Sequence, residues 1–373
     1  MKTVDQWVQK AAVVIPAYKP DDRLPPYVGA LLEAGVGHVV VVDDGSGADY
    51  RPVFDAIPRG DRVSVIHYEP NAGKGAALRR GLRHVLESCP DQAYAITADS
   101  DGQHTVKDVL RMCEAMRNNM DGLLLGSRDF SKGNVPFKSR NGNRITSITF
   151  KLLYGRWVSD TQTGLRGMPR KLLPAMLDVR GDRYEYEMNV LIECAGHKWP
   201  IRPLPIETVY ENNNDGSHFR AFRDSARIYA VIFAGFFRFI SASLICFLID
   251  YGLYLLLNNL LKNASPALGQ SVRVLVFSMV PHIALATALA RVISGLTNFV
   301  LNRQIVFGDH GSVRKSLPRY ICVFFLIMLL SMWLTSAMHL WLGWSDNAAK
   351  IPVDVVLFFL SYYLQRKWVF RKA

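Results

Sequence analysis

The sequence predicts an α/β domain, with a mostly parallel Rossmann-like sheet, followed by an all-α membrane domain. In residues 1–230, short apolar runs alternate with segments of helical periodicity, a pattern typical of a parallel sheet covered by helices. In residues 231–373 most of the chain is apolar, in stretches near the length that crosses a bilayer. With 373 residues, the chain is long enough to form both domains.

Strands and helices follow one another in a regular order through the first domain. The predicted strands cover 11–15, 38–42, 63–68, 93–96 and 123–125, and the predicted helices cover 27–34, 73–86 and a segment through Val109, Met112 and Met116. Pro16 and Pro20 are expected to end the first strand, because proline lacks the N–H that a sheet needs. In such a sheet, ligands bind at the carboxyl ends of the strands.

The stretch from Thr97 to His104 is the strongest candidate for chemistry, since it directly follows a predicted buried strand. Asp99 and Asp101 are one residue apart, so on an extended chain their side chains point the same way. Two carboxylates beside an open loop suit Mg²⁺ or Mn²⁺, which prefer oxygen ligands, and Gln103 could add an amide oxygen. An isolated Asp-x-Asp is more often a solvated acidic turn, so the metal interpretation depends on the surrounding motifs.

Polar residues follow the other predicted strands as well. They are Tyr18, the pair Asp43 and Asp44, and Arg128. Taken alone, Asp44 is explained equally well by a turn before glycine and by a hydrogen bond to a base or ribose. Their repeated occurrence at strand ends favours a single ligand site at that edge of the sheet.

A glycine-rich loop at 70–75 raises the alternative of a P-loop kinase or ATPase, because such a loop at a helix start can bind phosphate through backbone N–H groups. The Gly-x-x-x-x-Gly-Lys-Ser/Thr pattern is absent. Tyr68 would stand in the place of its first glycine, and Gly75 in that of its Ser/Thr. The sequence therefore disfavours a P-loop enzyme.

Five motifs together resemble the family-2 glycosyltransferases of GT-A fold, in the branch of dolichol- and polyprenyl-phosphate mannose and glucose synthases. The motifs cover 15–18, 42–46, 71–76, 98–104 and 126–128, and the resemblance extends over roughly residues 10 to 230. It implies a divalent metal, Mg or Mn, at Asp99, Asp101 and Gln103. The implied nucleotide-binding residues are Pro16, Ala17, Tyr18, Asp43, Asp44, Lys74 and Asp99. Pro20 departs from the pattern, where mannose synthases of this branch commonly carry Glu, which leaves the identity of the base open.

The acceptor is expected to bind along 131–167. An amphipathic segment at 145–153 suits either a helix in the bilayer interface or an ordinary surface helix. By resemblance, 160–166 is the loop beside the sugar and acceptor, and Arg220 contacts the diphosphate, with Arg223 as second candidate. The implied catalytic residues are Asp99, Asp101, Arg128, Asp160, Gln162 and Arg220, and the acceptor-phosphate residues are Arg128, Arg140 and Arg144.

Four transmembrane spans are predicted in the second domain. They cover approximately 238–260, 276–301, 320–342 and 351–367, and 298–307 resembles 361–370, so two hairpins form an internal duplication. Lys and Arg residues cluster on one side of the spans, which puts the catalytic domain and both termini in the cytoplasm, at the inner or plasma membrane. Asp250 and Arg291 fall at matching depth, which predicts a buried ion pair. This block resembles the GtrA-like four-span family.

The composition of the chain indicates which classes of binding partner it has. The net charge of +12 is not concentrated in a basic run interleaved with aromatics, which favours a lipid bilayer and a phosphorylated substrate over nucleic acid. The five cysteines show no Cys-x-x-Cys spacing and are interpreted as reduced thiols in a cytosolic environment. The apolar run 13–15 is too short for a signal peptide.

The resemblance implies an inverting transfer of a hexose from a nucleotide-diphosphate sugar to polyprenyl (undecaprenyl) phosphate, supplying lipid-linked sugar for the cell envelope. One alternative is a glycolipid translocation protein whose first domain is sensory or inactive. Another is a processive polysaccharide synthase, but its Gln-x-x-Arg-Trp motif is absent from the first domain. The sugar, UDP versus GDP, prenyl length and assembly into a homo-oligomer stay open.

Overall fold

The computed structural model describes residues 5–129, 137–207, 221–264, 272–274, 277–279, 281–307, 311–342 and 346–370. The chain divides into two compact units, Met1–Ile232 and Phe233–Ala373. The predicted domain boundary between residues 230 and 231 stays a prediction, because compactness alone does not define a functional domain.

A seven-stranded sheet forms the centre of the first unit. Its strands are β1 (Ala11–Ala17), β2 (His38–Asp44), β3 (Val63–Tyr68), β4 (Tyr94–Thr97), β5 (Leu123–Arg128), β6 (Arg166–Pro169) and β7 (Ile201–Ile206), in the order β3-β2-β1-β4-β6-β5-β7. β6 is antiparallel to both of its neighbours, and the other pairs are parallel. The mostly parallel Rossmann-like sheet predicted from the sequence is confirmed.

β1 extends past the predicted stop at Pro16. Its pairing with β4 ends at Val14, whereas its pairing with β2 continues to Ala17. At Pro16 the β4 side of the strand is no longer paired, so the missing N–H costs no ladder hydrogen bond on that side. β2 likewise continues through Asp43 and Asp44, which carries both acids to the end of the sheet.

Helices cover both faces of this sheet. They are α1 (Leu24–Glu33), α2 (Arg51–Asp55), α3 (Lys74–Ser88), α4 (Val106–Met116), α5 (Phe137–Tyr154), α6 (Leu173–Asp178) and α7 (Glu185–Gly196). α1 and α4 share a buried apolar cluster with Val13 and Ile15 of β1. α3 lies on the other face, where the absence of a side chain at Gly81 lets the helix approach Val14 and Val42.

The second unit is helical. Its helices are α8 (Ala221–Ala264), which begins in the first unit, α9 (Pro281–Leu301), α10 (Val313–Leu342) and α11 (Asp346–Leu364), and a short hairpin consists of β8 (Val272–Val274) and β9 (Phe277–Met279). Among the described residues, the stretch 223–264 is long and apolar enough to cross a membrane. The four-span topology stays a prediction.

Two π-helical turns fall at equivalent positions of the predicted internal duplication. Asn302–Val306 follows α9, and Gln365–Val369 follows α11. The Nδ2 group of Asn302 donates to Oε1 of Gln365 over 3.0 Å, and both residues are buried. A polar link therefore joins the two repeats inside this unit.

The predicted ion pair of the membrane domain is untested, because the side chain of Arg291 lies outside the described residues. Its intended partner, Asp250, accepts a hydrogen bond of 2.7 Å from Ser294 Oγ. This contact joins α8 to α9 within the second unit.

Candidate active site

A cleft of about 450 Å³ lies at the carboxyl ends of β1, β2 and β4. Six of the predicted nucleotide-binding residues line it: Pro16, Ala17, Tyr18, Asp44, Lys74 and Asp99. Asp101 lines the same cleft, as do Arg183, Tyr184, Arg223 and Arg227. Residues distant in sequence thus meet at the sheet edge where ligands bind in open α/β folds.

Asp99 lies between a lysine and a histidine. The Nζ atom of Lys74 lies 2.6 Å from Oδ1 of Asp99, and the Nε2 atom of His104 lies 3.2 Å from Oδ2. Burial opposes ionisation of Asp99, but the charge of Lys74 and the contact with His104 hold its pKa well below the ordinary value. Asp99 is therefore a carboxylate at neutral pH.

Lys74 neutralises two acids. Besides Asp99, its Nζ atom lies 3.3 Å from Oε1 of Glu187, and 18% of its side-chain surface is exposed. Burial by itself would lower the pKa of Lys74, but the two carboxylates raise it above the ordinary value. The lysine is consequently a fixed cation in the wall of the cleft.

Asp101 carries the second carboxylate of the motif. Burial and the negative charge of Asp99 raise the pKa of Asp101, although the backbone N–H of Gln103 donates to its Oδ1 atom over 3.1 Å. A bound cation would remove the repulsion between the two acids. The side-chain role predicted for Gln103 stays a prediction.

The segment at Gly164 lies directly against the Asp99 carboxylate, which requires a residue without a side chain. A Cβ atom at Gly164 would lie 2.4 Å from Oδ2 of Asp99, closer than such atoms approach each other. Thr97 Oγ1 holds this segment by donating to the carbonyl of Gly164 over 2.6 Å. The two carboxylates of this motif, Asp99 and Asp101, fit a hard divalent cation such as Mg²⁺ or Mn²⁺.

Asp44 organises the loop that leads to Lys74. Its carboxylate accepts hydrogen bonds from the backbone N–H groups of Ala72 and Gly73, each at 2.8 Å, and from the Asn71 side chain at 2.9 Å. The hydroxyl of Tyr68 donates to it as well. This carboxylate therefore fixes the start of α3, and its predicted contact with the nucleoside stays a prediction.

Asp43 holds the adjacent turn. It accepts a hydrogen bond of 2.9 Å from the backbone N–H of Ser46, and the Nδ1 atom of His67 lies 2.9 Å from its Oδ2 atom. Ser46 Oγ in turn accepts from the backbone N–H of Lys19, over 2.8 Å. These links connect the end of β2 to the loop that carries Tyr18.

Arg128 and Asp160 form a bidentate ion pair beside the cleft. The Nε atom of Arg128 lies 2.7 Å from Oδ2 of Asp160, and its Nη2 atom lies 3.1 Å from Oδ1. Asp160 is fully buried and also accepts from the backbone N–H of Gln162. Because Gly164 contacts Asp99, the segment 160–164 joins this pair to the acidic motif.

The remaining predicted residues are basic. Arg140 is partly buried in α5, and Arg144 is exposed on the same helix. Asn143, between them, donates to the carbonyl of Ser159 over 2.7 Å and accepts from Thr161, which ties α5 to the loop containing Asp160. Arg220 lies outside the described residues.

The sequence of this chain matches two models of known protein families. The family model described as glycosyl transferase family 2 matches residues 12–177, and the model described as GtrA/DPMS, transmembrane domain, matches 238–370. An uncharacterized protein of Methanocaldococcus jannaschii is 31% identical over 202 residues, which cover 53% of this chain and 81% of that protein. The chain belongs to glycosyltransferase family 2. The predicted family, the GT-A fold and the enzyme class are thereby confirmed.

Two relatives of this glycosyltransferase have named activities. The UDP-N-acetylglucosamine–dolichyl-phosphate N-acetylglucosaminyltransferase of Methanococcus voltae is 29% identical over 217 residues, covering 53% of this chain and 85% of that protein. The undecaprenyl-phosphate 4-deoxy-4-formamido-L-arabinose transferase of Klebsiella pneumoniae strain 342 is 23% identical over 216 residues, covering 56% and 62%. Both similarities concern roughly half of this chain.

Several cleft residues of the glycosyltransferase were not found from the sequence. Arg223 was the second candidate for the diphosphate contact, but Arg227, four residues further along α8, was not singled out, although a shared helix face was a usable signal. No sequence pattern marked Arg183, or Glu187 as the second partner of Lys74. Together with Lys74, the three arginines give the cleft a set of cations suited to phosphate oxygens.

Proposed function

We propose that this glycosyltransferase moves a hexose from a nucleotide-diphosphate sugar to a polyprenyl phosphate. The observation that carries the proposal is the cleft in which Asp99 and Asp101 face Lys74 and three arginines. Acids that suit a divalent cation, next to fixed cations, match a donor whose leaving group is a diphosphate. The names of these two relatives, which refer to dolichyl and undecaprenyl phosphates, support the acceptor class.

Asp99 and Asp101, with Gln103 as a further predicted ligand, would hold Mg²⁺ or Mn²⁺. When bound, the ion supplies positive charge to the departing diphosphate. Lys74 keeps Asp99 ionised and in place, and its own charge lies in the same wall of the cleft. The arginines at 183, 223 and 227, and Arg220 by family resemblance, neutralise the remaining phosphate oxygens.

In the proposed step, an oxygen of the acceptor phosphate attacks the anomeric carbon while the bond from that carbon to the diphosphate breaks. The phosphate is already ionised, so the step needs no strong general base, and catalysis consists of positioning and charge neutralisation. Arg128, Arg140 and Arg144 would hold the acceptor in line, on the face opposite the leaving group. Attack from that face inverts the anomeric configuration.

Asp160 and Gln162 would help to position the acceptor phosphate through Arg128. The buried carboxylate of Asp160 binds two nitrogens of the Arg128 guanidinium, which fixes the plane of that group. The backbone of Gln162 is anchored to the same carboxylate. The segment 160–164 would therefore set the distance between acceptor and donor.

We place the reaction at the cytoplasmic face of the inner or plasma membrane. The match to a transmembrane domain at 238–370 supports attachment to the bilayer. The distribution of Lys and Arg around the four predicted spans supports a cytoplasmic location for the catalytic unit and both termini. On α5, apolar residues exposed beside Arg144 would contact the lipid that carries the acceptor.

A donor screen tests the proposal. Purified full-length protein in lipid, with Mn²⁺ or Mg²⁺ and undecaprenyl phosphate, would receive radiolabelled UDP-glucose, UDP-N-acetylglucosamine and GDP-mannose in separate reactions. We expect one donor to give a labelled, mild-acid-labile lipid, and a chelator to abolish it until the metal is restored. No labelled lipid from any donor, with the acceptor shown to be accessible, would overturn the proposal in favour of another donor or of glycolipid translocation.

A further inference from the structure

Three metal-ligating side chains meet at the end of the sheet away from the cleft. His38 is the first residue of β2, His84 lies in α3, and Cys89 directly follows α3. Their ligand atoms all lie within 4.8 Å of one another. β2 runs from His38 to Asp44, so about 20 Å of strand separates this cluster from the cleft.

The two imidazoles converge on one point. The Nε2 atom of His38 and the Nε2 atom of His84 each lie 2.9 Å from Oγ of Ser64, on β3. Cys89 is buried and its sulfur is a free thiol, while both rings are partly buried. The cluster thus joins three elements of the fold: β2, β3 and the end of α3.

We propose that His38, His84 and Cys89 bind a Zn²⁺ ion. Two imidazole nitrogens and one thiolate are the ligand types that zinc prefers. Zinc bonds of about 2.0 Å to nitrogen and about 2.3 Å to sulfur put tetrahedral ligand atoms roughly 3.3–3.6 Å apart. The present separations, which are within 4.8 Å, exceed these values by about 1 Å, so the side chains would have to rotate for all three to bind the ion. The Ser64 hydroxyl or a water molecule would take the fourth position.

The ion would have a structural role. It would fasten the carboxyl end of α3, whose other end carries Lys74, to the beginning of β2. Binding to the folded state alone stabilises that state, by an amount that grows with free zinc concentration. Because the site is distant from the cleft, its loading is expected to raise the melting temperature without being required for glycosyl transfer.

Metal analysis of the full-length protein tests this assignment. After equilibration with Zn²⁺ and removal of loosely bound ions, Asp99→Ala protein, which lacks the acidic site, should retain about one zinc per chain. The added substitution Cys89→Ser or His84→Ala should remove it, whereas Cys113→Ser, at a buried cysteine of α4, should not. No retained zinc in the protein with an intact cluster would overturn the proposal, whatever the variants do.

Cobalt provides a measurement that does not depend on the stability of a variant. Co²⁺ added to the metal-free protein should give a sulfur-to-cobalt charge-transfer band, which the oxygen ligands of the cleft cannot produce. Zn²⁺ should abolish the band, and Mg²⁺ should not. A missing band would show that the histidines and Ser64 form a hydrogen-bonded group without a metal, and a band that persists in Cys89→Ser would assign the cobalt to another thiol and overturn the proposal.

Discussion

Asp99 has contacts on three sides, and each neighbour restricts it differently. Lys74 and His104 contact its oxygens, and Gly164, which has no side chain, packs closely against the carboxylate. The carboxylate is therefore held by polar contacts on two sides and by close packing on the third. Single substitutions around it separate these effects.

Gly164→Ala is expected to lower activity at least about tenfold with little change in melting temperature. The added methyl group would force the Asp99 carboxylate to move, and a displaced catalytic group costs on the order of tenfold to a hundredfold in rate. Initial rates of lipid labelling and thermal unfolding would measure the two effects. Gly196→Ala is the matched control, because a Cβ atom there meets open space. Equal activity in the two variants would contradict the role of Gly164.

Lys74→Met is expected to destabilise the protein and to reduce transfer. It leaves the carboxylates of Asp99 and Glu187 in the cleft wall without their cation, and breaking a buried pair costs about 3 kcal/mol or more. The melting temperature and the rate should both fall, whereas Lys171→Met, at an exposed lysine, should leave both unchanged. Retention of wild-type stability would show that Lys74 does not compensate these acids.

The sequence was informative for residues that belong to short motifs. The motif at 98–104 predicted Asp99 and Asp101, and strand ends predicted Tyr18 and Asp44. Glu187 and Gly164 could not be found in this way, because their roles exist only after folding brings them next to Lys74 and Asp99. A contact between two residues that are far apart in the sequence leaves no recognisable motif around either of them.

At the scale of elements, the five predicted strands were correct in place, and four of them were short at their carboxyl ends, whereas β3 has the predicted bounds. β2 continues through two acids, since pairing with β3 extends to Tyr68, and apolar periodicity alone does not detect paired polar residues. β6 and β7 were not predicted. β6 has four residues and β7 contains two prolines, so neither presents the long apolar run of a central strand.

The amphipathic segment at 145–153 forms part of α5, and Leu152 on it is 69% exposed. Leu152→Glu is expected to raise the KM for polyprenyl phosphate severalfold without changing the KM for the donor, because the charge opposes entry of this face into lipid. Asn118→Glu, at an exposed position after α4, adds the same charge and serves as control. An unchanged KM for the lipid would favour the alternative of an ordinary surface helix.

The link between the π-helical turns predicts energetic coupling. Asn302→Leu or Gln365→Leu leaves a buried partner group unsatisfied, which costs about 1–3 kcal/mol. Replacement of both removes the mismatch, so the double variant should lose less stability than the sum of the singles. Melting temperatures of the full chain in detergent would measure this. Gln304→Leu, at an exposed position in the first turn, is the control, and strictly additive losses would contradict the coupling.

At the scale of the whole molecule, the chain combines a family-2 catalytic unit with a GtrA/DPMS transmembrane domain. The alternation of strands and helices, followed by apolar stretches, predicted this combination from the sequence. Membrane topology is a different kind of property, because span orientation depends on a bilayer and on charge placement rather than on contacts within the chain. The combination is consistent with an enzyme whose donor is water-soluble and whose acceptor is a lipid.

The most direct test of the central claim compares Asp99→Asn with Asp91→Asn in the transfer of label from the nucleotide sugar to undecaprenyl phosphate. Asp91 is exposed, and its substitution by Asn removes the same charge as Asp99→Asn does. We predict wild-type labelling by Asp91→Asn and a loss of about 100-fold or more in Asp99→Asn, as expected when a main electrostatic contribution to catalysis is removed. Thermal unfolding would confirm that both variants are folded. Full labelling by folded Asp99→Asn would contradict the assignment of the active site to this cleft.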